Sequence, residues 1–496
     1  MENDEMSAPD DTKKGLVEPK TLKGFRDLMP ADMIARNAVV ERIRVVYEKY
    51  GFVPADTPVL EYLTTLIGTG GEDANKQLFR LESPERESIA MRYDHTVSFA
   101  RFVAQYPEEL KLPFRRYTIG PVFRADKPKR GRYRQFVQFD IDAAGSECVA
   151  VDAEIVAAMA DVMRTAGLGR GEFQIRINNR KLVDACVIGC GLTDEKVQKR
   201  VLSVIDKLQE DGVQQVREKL GAGCIDESGA PIEGVGLSAS AIDKIMEFIS
   251  TTGVSRADTL NSLARLLPKT QVSDAAVQEM SDLNQAVGSL RLDETEAIFD
   301  PSLVRGLLYY SGPVFEAHLP AAPQFGSVMG GGRYDRLLGR FRLPSIPATG
   351  ASIGVDRFMD ALVLIGKIKT TPTTTKVLVL SLRGVPTSEL LSIANDLRAE
   401  GIPTEVFFGD SKVGFRDQLS AANAKQVPVA VILGEDELKA GNVSIKDLRA
   451  GRQARSGIQD REEYKKSGKA GQVTIPRADL VKTVKQMLWP DRSPLA

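Results

Sequence analysis

Histidine is almost missing from this sequence: two residues in 496, His95 and His318. Chemistry that needs a triad histidine or several imidazole ligands has almost no material to work with. Cysteine is scarce as well. Four in so long a chain exclude a disulfide scaffold and fit a reducing, cytoplasmic compartment. Cys186 and Cys190 are close, but no second close pair completes a zinc site, so no metal is expected on His or Cys clusters. No apolar run approaches the length of a membrane span. The net charge is -1, so no global field advertises a nucleic-acid or membrane partner, and any basic surface must be local. Residues 1–20, "MENDEMSAPDDTKKGLVEPK", are charged and lack an apolar segment. They read as a disordered tail, not a signal peptide.

What is present is globular. Hydrophobic residues make up 43% and charged residues 27%, with length for two to four domains. Residues 30–50 read as an amphipathic helix, with Pro30 in its first turn and Gly51 at its end. "FRRYTIGPVFRAD" and "RQFVQFDID" read as strands joined by the basic loop "KPKRGRY". In the second strand Val137, Phe139 and Ile141 share one face, and Gln138, Asp140 and Asp142 share the other. Three polar groups on one side of a central strand predict a pocket floor. Residues 151–166 read as an Ala-rich helix and "FQIRIN" as a further strand. From 181 to 295 the texture turns helical and polar, broken by the Gly-rich "GAGCIDESGAPIEGVG", which predicts an insertion between two halves of a domain. "GSVMGGGRYDRLL" and "PATGASIGVDRFMDALVLIG" carry what read as turn glycines, and the latter runs into an apolar helix. "KIKTTPTTTK" (367–376) is a Thr/Pro linker, and residues 377–496 alternate strands and helices as a small α/β domain.

Three motif matches fail on context. Gly350-Ala-Ser352-Ile-Gly354 fits G-x-S-x-G, but no histidine follows Ser352 in the chain. "GVGLSA" from Gly234 lacks a preceding strand, and "GGGR" at 330–333 lacks the Lys-Ser/Thr of a phosphate loop. Arginines are the better signal. Arg124 ends a strand before the basic loop that holds Arg132, and Arg134 follows it. Arg305 sits beside a glycine and two tyrosines, and Arg357 begins the apolar helix. Several arginines with no histidine suit charge stabilisation on phosphate, not acid–base catalysis.

Five segments then carry a resemblance. "YGFVPADTPVLE", with Pro58, "YTIGPVFRADKPKRGRYRQFVQFDID" and "ATGASIGVDRF" resemble the three class II aminoacyl-tRNA synthetase motifs. "MRYDHTVSFAR" and "RGLLYYSGPVFE", with "GGRYD" close behind, resemble the histidyl-tRNA synthetase family, over residue 21 to the end. The resemblance implies an α+β class II catalytic domain on an antiparallel sheet at 21–366, with the insertion at about 181–295, and an α/β anticodon-binding domain at 377–496. It also implies a homodimer, with L-histidine, ATP with Mg²⁺, and tRNA(His) as ligands.

Residue by residue, it puts Asp94, Thr96 and Gln138 at the amino group of the amino acid, Gln138 also near its carboxylate. Asp142, Tyr309, Tyr310 and Tyr334 fall around the imidazole. Arg124 falls between the carboxylate and the α-phosphate. Phe136 and Arg357 fall on the two faces of adenine, Arg132 at the outer phosphates, with Asp126 beside that ATP site. Arg305 is the family's additional catalytic arginine. A pocket that pairs both ring nitrogens rejects apolar analogues by roughly 10⁴–10⁵, so no editing domain is expected, and the insertion is tRNA-facing or structural. The chain departs from the family at Leu308, where an acidic residue is common, at His95, where an apolar one is, and at Asp126, where glutamate is. Strand alternation turns His95 away from the pocket. The rival reading is a non-charging, histidine-binding regulatory paralogue of ATP phosphoribosyltransferase, which lacks the C-terminal domain.

Overall fold

The computed structural model describes residues 17–68, 75–128, 131–225, 229–305, 309–380, 382–408, 413–455 and 471–490. Most of the expected tail, and Leu308 with its departure from the family, lie outside the described residues. The chain divides into two units, residues 1–27 with 38–368, and residues 28–37 with 369–496.

The first unit is organised by an eight-stranded sheet. Its strands are β1 (Val53–Pro54), β2 (Phe114–Phe123), β3 (Gln135–Ala144), β4 (Gln174–Asn179), β5 (Ala297–Phe299), β6 (Pro313–His318), β7 (Ser327–Arg333) and β8 (Ala348–Gly354). They lie in the order β1-β2-β3-β8-β7-β6-β4-β5. The six from β2 to β4 in that order pair antiparallel, and only the edge pairs β1–β2 and β5–β4 are parallel. This is the antiparallel α+β architecture expected.

Four helices matter for the site: α1 (Pro30–Lys49), α2 (Thr96–Gln105), α3 (Ala150–Thr165) and α4 (Val355–Leu364). Phe139 and Ile141 of β3 are buried on the back of the sheet. There the Tyr47 ring of α1 meets Phe139 edge-on at 4.9 Å. On α3, Ala153, Ala157, Ala158 and Ala160 are all buried, and side chains this small let the helix lie close to β4, β6, β7 and β8. A buried ion pair, Arg333 to Asp152 at 2.5 Å, joins that helix to β7. With helices covering the back, the polar face of β3 is left to the front.

The glycines expected in turns are instead strand glycines. Gly330–Gly332 lie inside β7 and Gly350 inside β8. The reason is close approach of backbone. A Cβ on Gly331 would stand 2.0 Å from the Gly350 carbonyl oxygen, and one on Gly350 would stand 2.4 Å from Asp142 Oδ1.

Between β4 and β5, six helices fall within Arg180–Ser289 among the described residues. Several start on a side-chain cap: Asp194, Ser238, Ser255 and Thr270 each accept from a first-turn N–H, satisfying donors that the helix leaves open. The Gly-rich patch is more ordered than its composition suggests, since Gly223–Ile225 pairs with Pro231–Glu233 as a hairpin.

The second unit holds β9 (Val377–Leu380), β10 (Thr404–Val406), β11 (Val429–Ile432), β12 (Asn442–Asp447) and β13 (Gln472–Pro476), in the order β10-β9-β11-β12-β13. The strand "VLVL" is buried on both faces, as its unbroken apolar run implies. Val377 and Val379 face a core with Leu390, Ile393 and Val484, while Leu378 and Leu380 face another with Ala422 and Leu448. The stretch Arg452–Lys466, whose basic residues could contact phosphates or form a solvated loop, falls largely outside the described residues.

Candidate active site

Register builds the front face. Residues directly opposite in a sheet point to the same side. One row runs Arg116, Asp142, Gly350, Gly332, Val314 across β2, β3, β8, β7 and β6. The next runs Thr118, Asp140, Ser352, Gly330, Glu316. Glycines in both rows leave a hollow in the middle, and charged or polar side chains form its rim.

The hollow holds a small pocket of about 40 Å³, lined among others by Asp94, Thr96, Gln138, Asp142, Tyr309, Tyr310 and Tyr334. Asp94 precedes α2, and its Oδ1 accepts from the Val97 N–H at 3.1 Å, so the helix start holds it. Its Oδ2 accepts from the Tyr309 hydroxyl at 3.4 Å. Tyr334 donates to Asp142 Oδ1, and Arg116, wholly buried, approaches Asp142 Oδ2 at 3.0 Å. Burial pushes the Asp142 carboxyl up, with Arg116 and Tyr334 pulling it back. Asp94 is also raised by burial, against the Val97 N–H and Arg124. Asp140 lies well above the usual carboxylate range, through burial and then the charge of Asp142. Its Oδ1 accepts from Ser352, whose Oγ accepts from Gln138 Nε2 at 2.7 Å.

A larger cleft of about 200 Å³ adjoins, lined by Asp126, Arg132, Phe136 and Arg357 among others. Arg357, on the first turn of α4, donates to the Ser327 carbonyl at 2.9 Å. Its pKa is lowered by burial and by the charges of Arg132 and Arg124, the signature of cations gathered where an anion is wanted. The Arg124 guanidinium lies 5.2 Å from the Phe136 ring centroid and donates to the Tyr93 carbonyl at 3.0 Å. Arg305 donates to Glu316 Oε1 at 2.8 Å and lies 5.4 Å from the Tyr310 ring centroid. Burial opposes its charge, but Tyr310 and Glu316 outweigh that and raise its pKa. Pocket and cleft share Arg124, Gln138, Arg305, Gly330 and Ser352. A ligand spanning both would therefore put its middle between two guanidiniums and one amide.

Comparison with known proteins identifies the family. The histidyl-tRNA synthetase family model matches residues 24–358, and an anticodon-binding-domain model matches 376–487. The histidine–tRNA ligase of Caulobacter vibrioides is 40% identical over 483 residues, 95% of this chain and 97% of that one. The histidine–tRNA ligase of Paracoccus denitrificans is 39% identical over 500 residues, 97% of this chain and 100% of that one. The crystal structure of histidyl-tRNA synthetase from a Nostoc species superposes with a TM-score of 0.76 at 29% identity, covering 95% of this chain and 100% of that one.

The chain belongs to the histidyl-tRNA synthetase family. It is a class II aminoacyl-tRNA synthetase and hence a ligase.

Each residue for which the resemblance implies a contact with the amino acid or ATP lines the pocket, the cleft or both. Arg134 does not take part. It donates to the carbonyls of Asp126 and Lys23, which fixes the loop. The two histidines are occupied elsewhere. His95 is buried with Nε2 3.3 Å from the Gly120 carbonyl oxygen, and burial with Arg92 and Arg116 nearby lowers its pKa to about 3. His318 Nε2 lies 3.1 Å from Glu316 Oε2.

Sequence reasoning missed Arg116, Glu316 and the use made of Ser352. Arg116 had a signal: it alternates with Thr118 and Gly120 on the strand that precedes the loop. Ser352 drew notice only as a nucleophile, which it cannot be without a histidine.

Proposed function

We propose that the chain ligates L-histidine to tRNA(His) through a histidyl-adenylate, with ATP as co-substrate. The observation that carries this is the seam of Arg124, Gln138 and Arg305 between an acidic pocket and a basic cleft. In the first step the histidine carboxylate attacks the α-phosphorus and pyrophosphate leaves. The nucleophile is already ionised, so the work is positioning and charge stabilisation, and no histidine side chain is required. Arg124 and Arg305 lie where the carboxylate and α-phosphate meet. Phe136 and Arg357 flank adenine, Arg132 reaches the outer phosphates, and Asp142 with the tyrosines receives the imidazole. The carboxylates of Asp126 and Glu316 line the same cleft. They fit Mg²⁺, which is held by one or two carboxylates together with phosphate oxygens and water. In the second step the terminal ribose hydroxyl of tRNA attacks the adenylate carbonyl and AMP leaves.

In this reading residues 21–366 are the catalytic domain, 181–295 a tRNA-facing or structural insertion, 367–376 a linker and 377–496 the anticodon-binding domain. The enzyme works in the cytoplasm as a homodimer. Support for the dimer is an exposed groove near Pro58 in which Leu60, Tyr62 and Tyr106 are 45%, 56% and 37% exposed. Among the described residues no helix is long and apolar enough to cross a membrane. A regulatory paralogue is disfavoured by the anticodon-binding module. The test is histidine-dependent ATP–pyrophosphate exchange, with Arg305→Ala as control. Folded wild-type protein without exchange would end this reading.

A further inference from the structure

Gln138, Ser352 and Asp140 form a chain of hydrogen bonds across β3 and β8. Its direction follows from the far end. Asp140 Oδ1 accepts, so the Ser352 hydroxyl proton is committed to it. An ionised carboxylate accepts there, and so does a carboxyl that carries its proton on Oδ2. With its proton spent, the serine oxygen has only lone pairs left for Gln138. The glutamine must therefore turn its NH₂ to Ser352 and its carbonyl oxygen away. That oxygen, Oε1, is buried and has no hydrogen-bond partner, on a side chain that lines both pocket and cleft. A buried acceptor left open is costly unless a ligand fills it.

We propose that Ser352 and Asp140 are positioning residues that lock the Gln138 amide with its carbonyl oxygen toward the α-ammonium of the amino acid. This rests on the histidine-binding reading and deepens it. An ammonium offers three N–H donors, and Asp94, the Thr96 hydroxyl and Gln138 Oε1 offer three acceptors in one pocket. The reversed amide would aim NH₂ at the ammonium and repel it. The lock thus selects ligands with a free α-amino group, and it acts only through Gln138.

Isothermal titration calorimetry on the full chain, with L-histidine and with 3-(imidazol-4-yl)propionate, which lacks the amino group, tests this. Ser352→Ala should weaken histidine about tenfold, the scale of one charge-assisted hydrogen bond, and change the des-amino probe less than about threefold. Ser352→Thr, which keeps the hydroxyl, should restore histidine binding. On a Gln138→Ala background, Ser352→Ala should add nothing. Ser352→Cys, of similar volume and weak hydrogen bonding, replaces the alanine variant if that does not fold. Equal weakening of both probes, no weakening of histidine, or an undiminished effect without Gln138 overturns the lock alone. Failure of wild-type protein to bind histidine overturns the lock and the reading beneath it.

Discussion

Adjacent glycines in β7 should respond to the same substitution in opposite ways. Gly330 faces the pocket. A Cβ there would lie 2.1 Å from Arg305 Nη1 and 3.2 Å from the Phe315 carbonyl oxygen. The guanidinium is the end of a flexible side chain and can swing away. The folding cost is then limited to the Arg305–Glu316 pair, because a displaced guanidinium can turn toward the cleft and Glu316 stays beside His318. Catalysis is affected far more, because one displaced charge donor at a reacting centre costs about 10²–10³ in kcat. Gly331 faces the back. Its Cβ would lie 2.0 Å from the Gly350 carbonyl oxygen and 2.6 Å from Ala351 Cα. Both are backbone atoms of a central strand, so relief requires moving β8, at roughly 3 kcal/mol. The assays are histidine-dependent ATP–pyrophosphate exchange and urea unfolding followed by circular dichroism. Gly330→Ala should unfold near the wild-type midpoint with exchange down about a hundredfold, and Gly331→Ala should unfold far earlier. Wild-type exchange in Gly330→Ala, or equal destabilisation by both, would refute the argument.

Asp142→Ala should raise KM for histidine far more than for ATP in the exchange assay, and equal rises would contradict its place at the ring. Arg116→Met removes the cation that holds the Asp142 carboxyl down. Histidine KM should rise about tenfold at neutral pH and partly recover as pH is raised, and a pH-independent loss would count against it. His95 should shape the acid limb of stability. It stays neutral in the fold to about pH 3, while the unfolded chain takes up a proton below about 6.5. Stability is therefore lost as pH falls from about 6.5 toward 3, by about 2 kcal/mol at pH 5. Urea midpoints for wild type and His95→Asn between pH 7 and 5 should show a flatter slope in the variant.

The floor of the pocket was legible because strand periodicity is strict. Gln138, Asp140 and Asp142 alternate against Val137, Phe139 and Ile141, and a one-residue error would bury the carboxylates in the core. What faces them was not legible. Arg116 meets Asp142 only because β2 and β3 pair in one register, and the long connection from Arg124 to Arg134 does not fix a register as a tight turn would. Ser352 and Glu316 reach the site across strands distant in sequence. The glycines of β7 and β8 were misread because composition reports backbone freedom, not its use. A turn and a close approach call for the same residue. Arg357 stood out as an arginine among apolar neighbours, where a buried charge requires an anion or a π-face, and Arg305 as one beside a glycine and two tyrosines.

The scarcity of histidine, first a limit on mechanism, becomes part of the argument for this one. Both imidazoles are committed, His95 near the Gly120 carbonyl and His318 near Glu316. Neither lines the pocket or the cleft. A reaction whose nucleophile arrives ionised needs no imidazole base, only cations placed where the phosphoryl charge develops. Register places most of the charges: Asp140 and Asp142 stand on β3 and Asp94 at the start of α2, while Arg124 and Arg132 follow β2, Arg305 precedes β6 and Arg357 opens α4. The fields interleave where Arg116 meets Asp142 and Arg305 meets Glu316. Gln138 stands between the two fields as a neutral group. An ionised side chain there would favour one end of an amino acid and repel the other, whereas an amide with a fixed direction can serve the ammonium without opposing the carboxylate beside it.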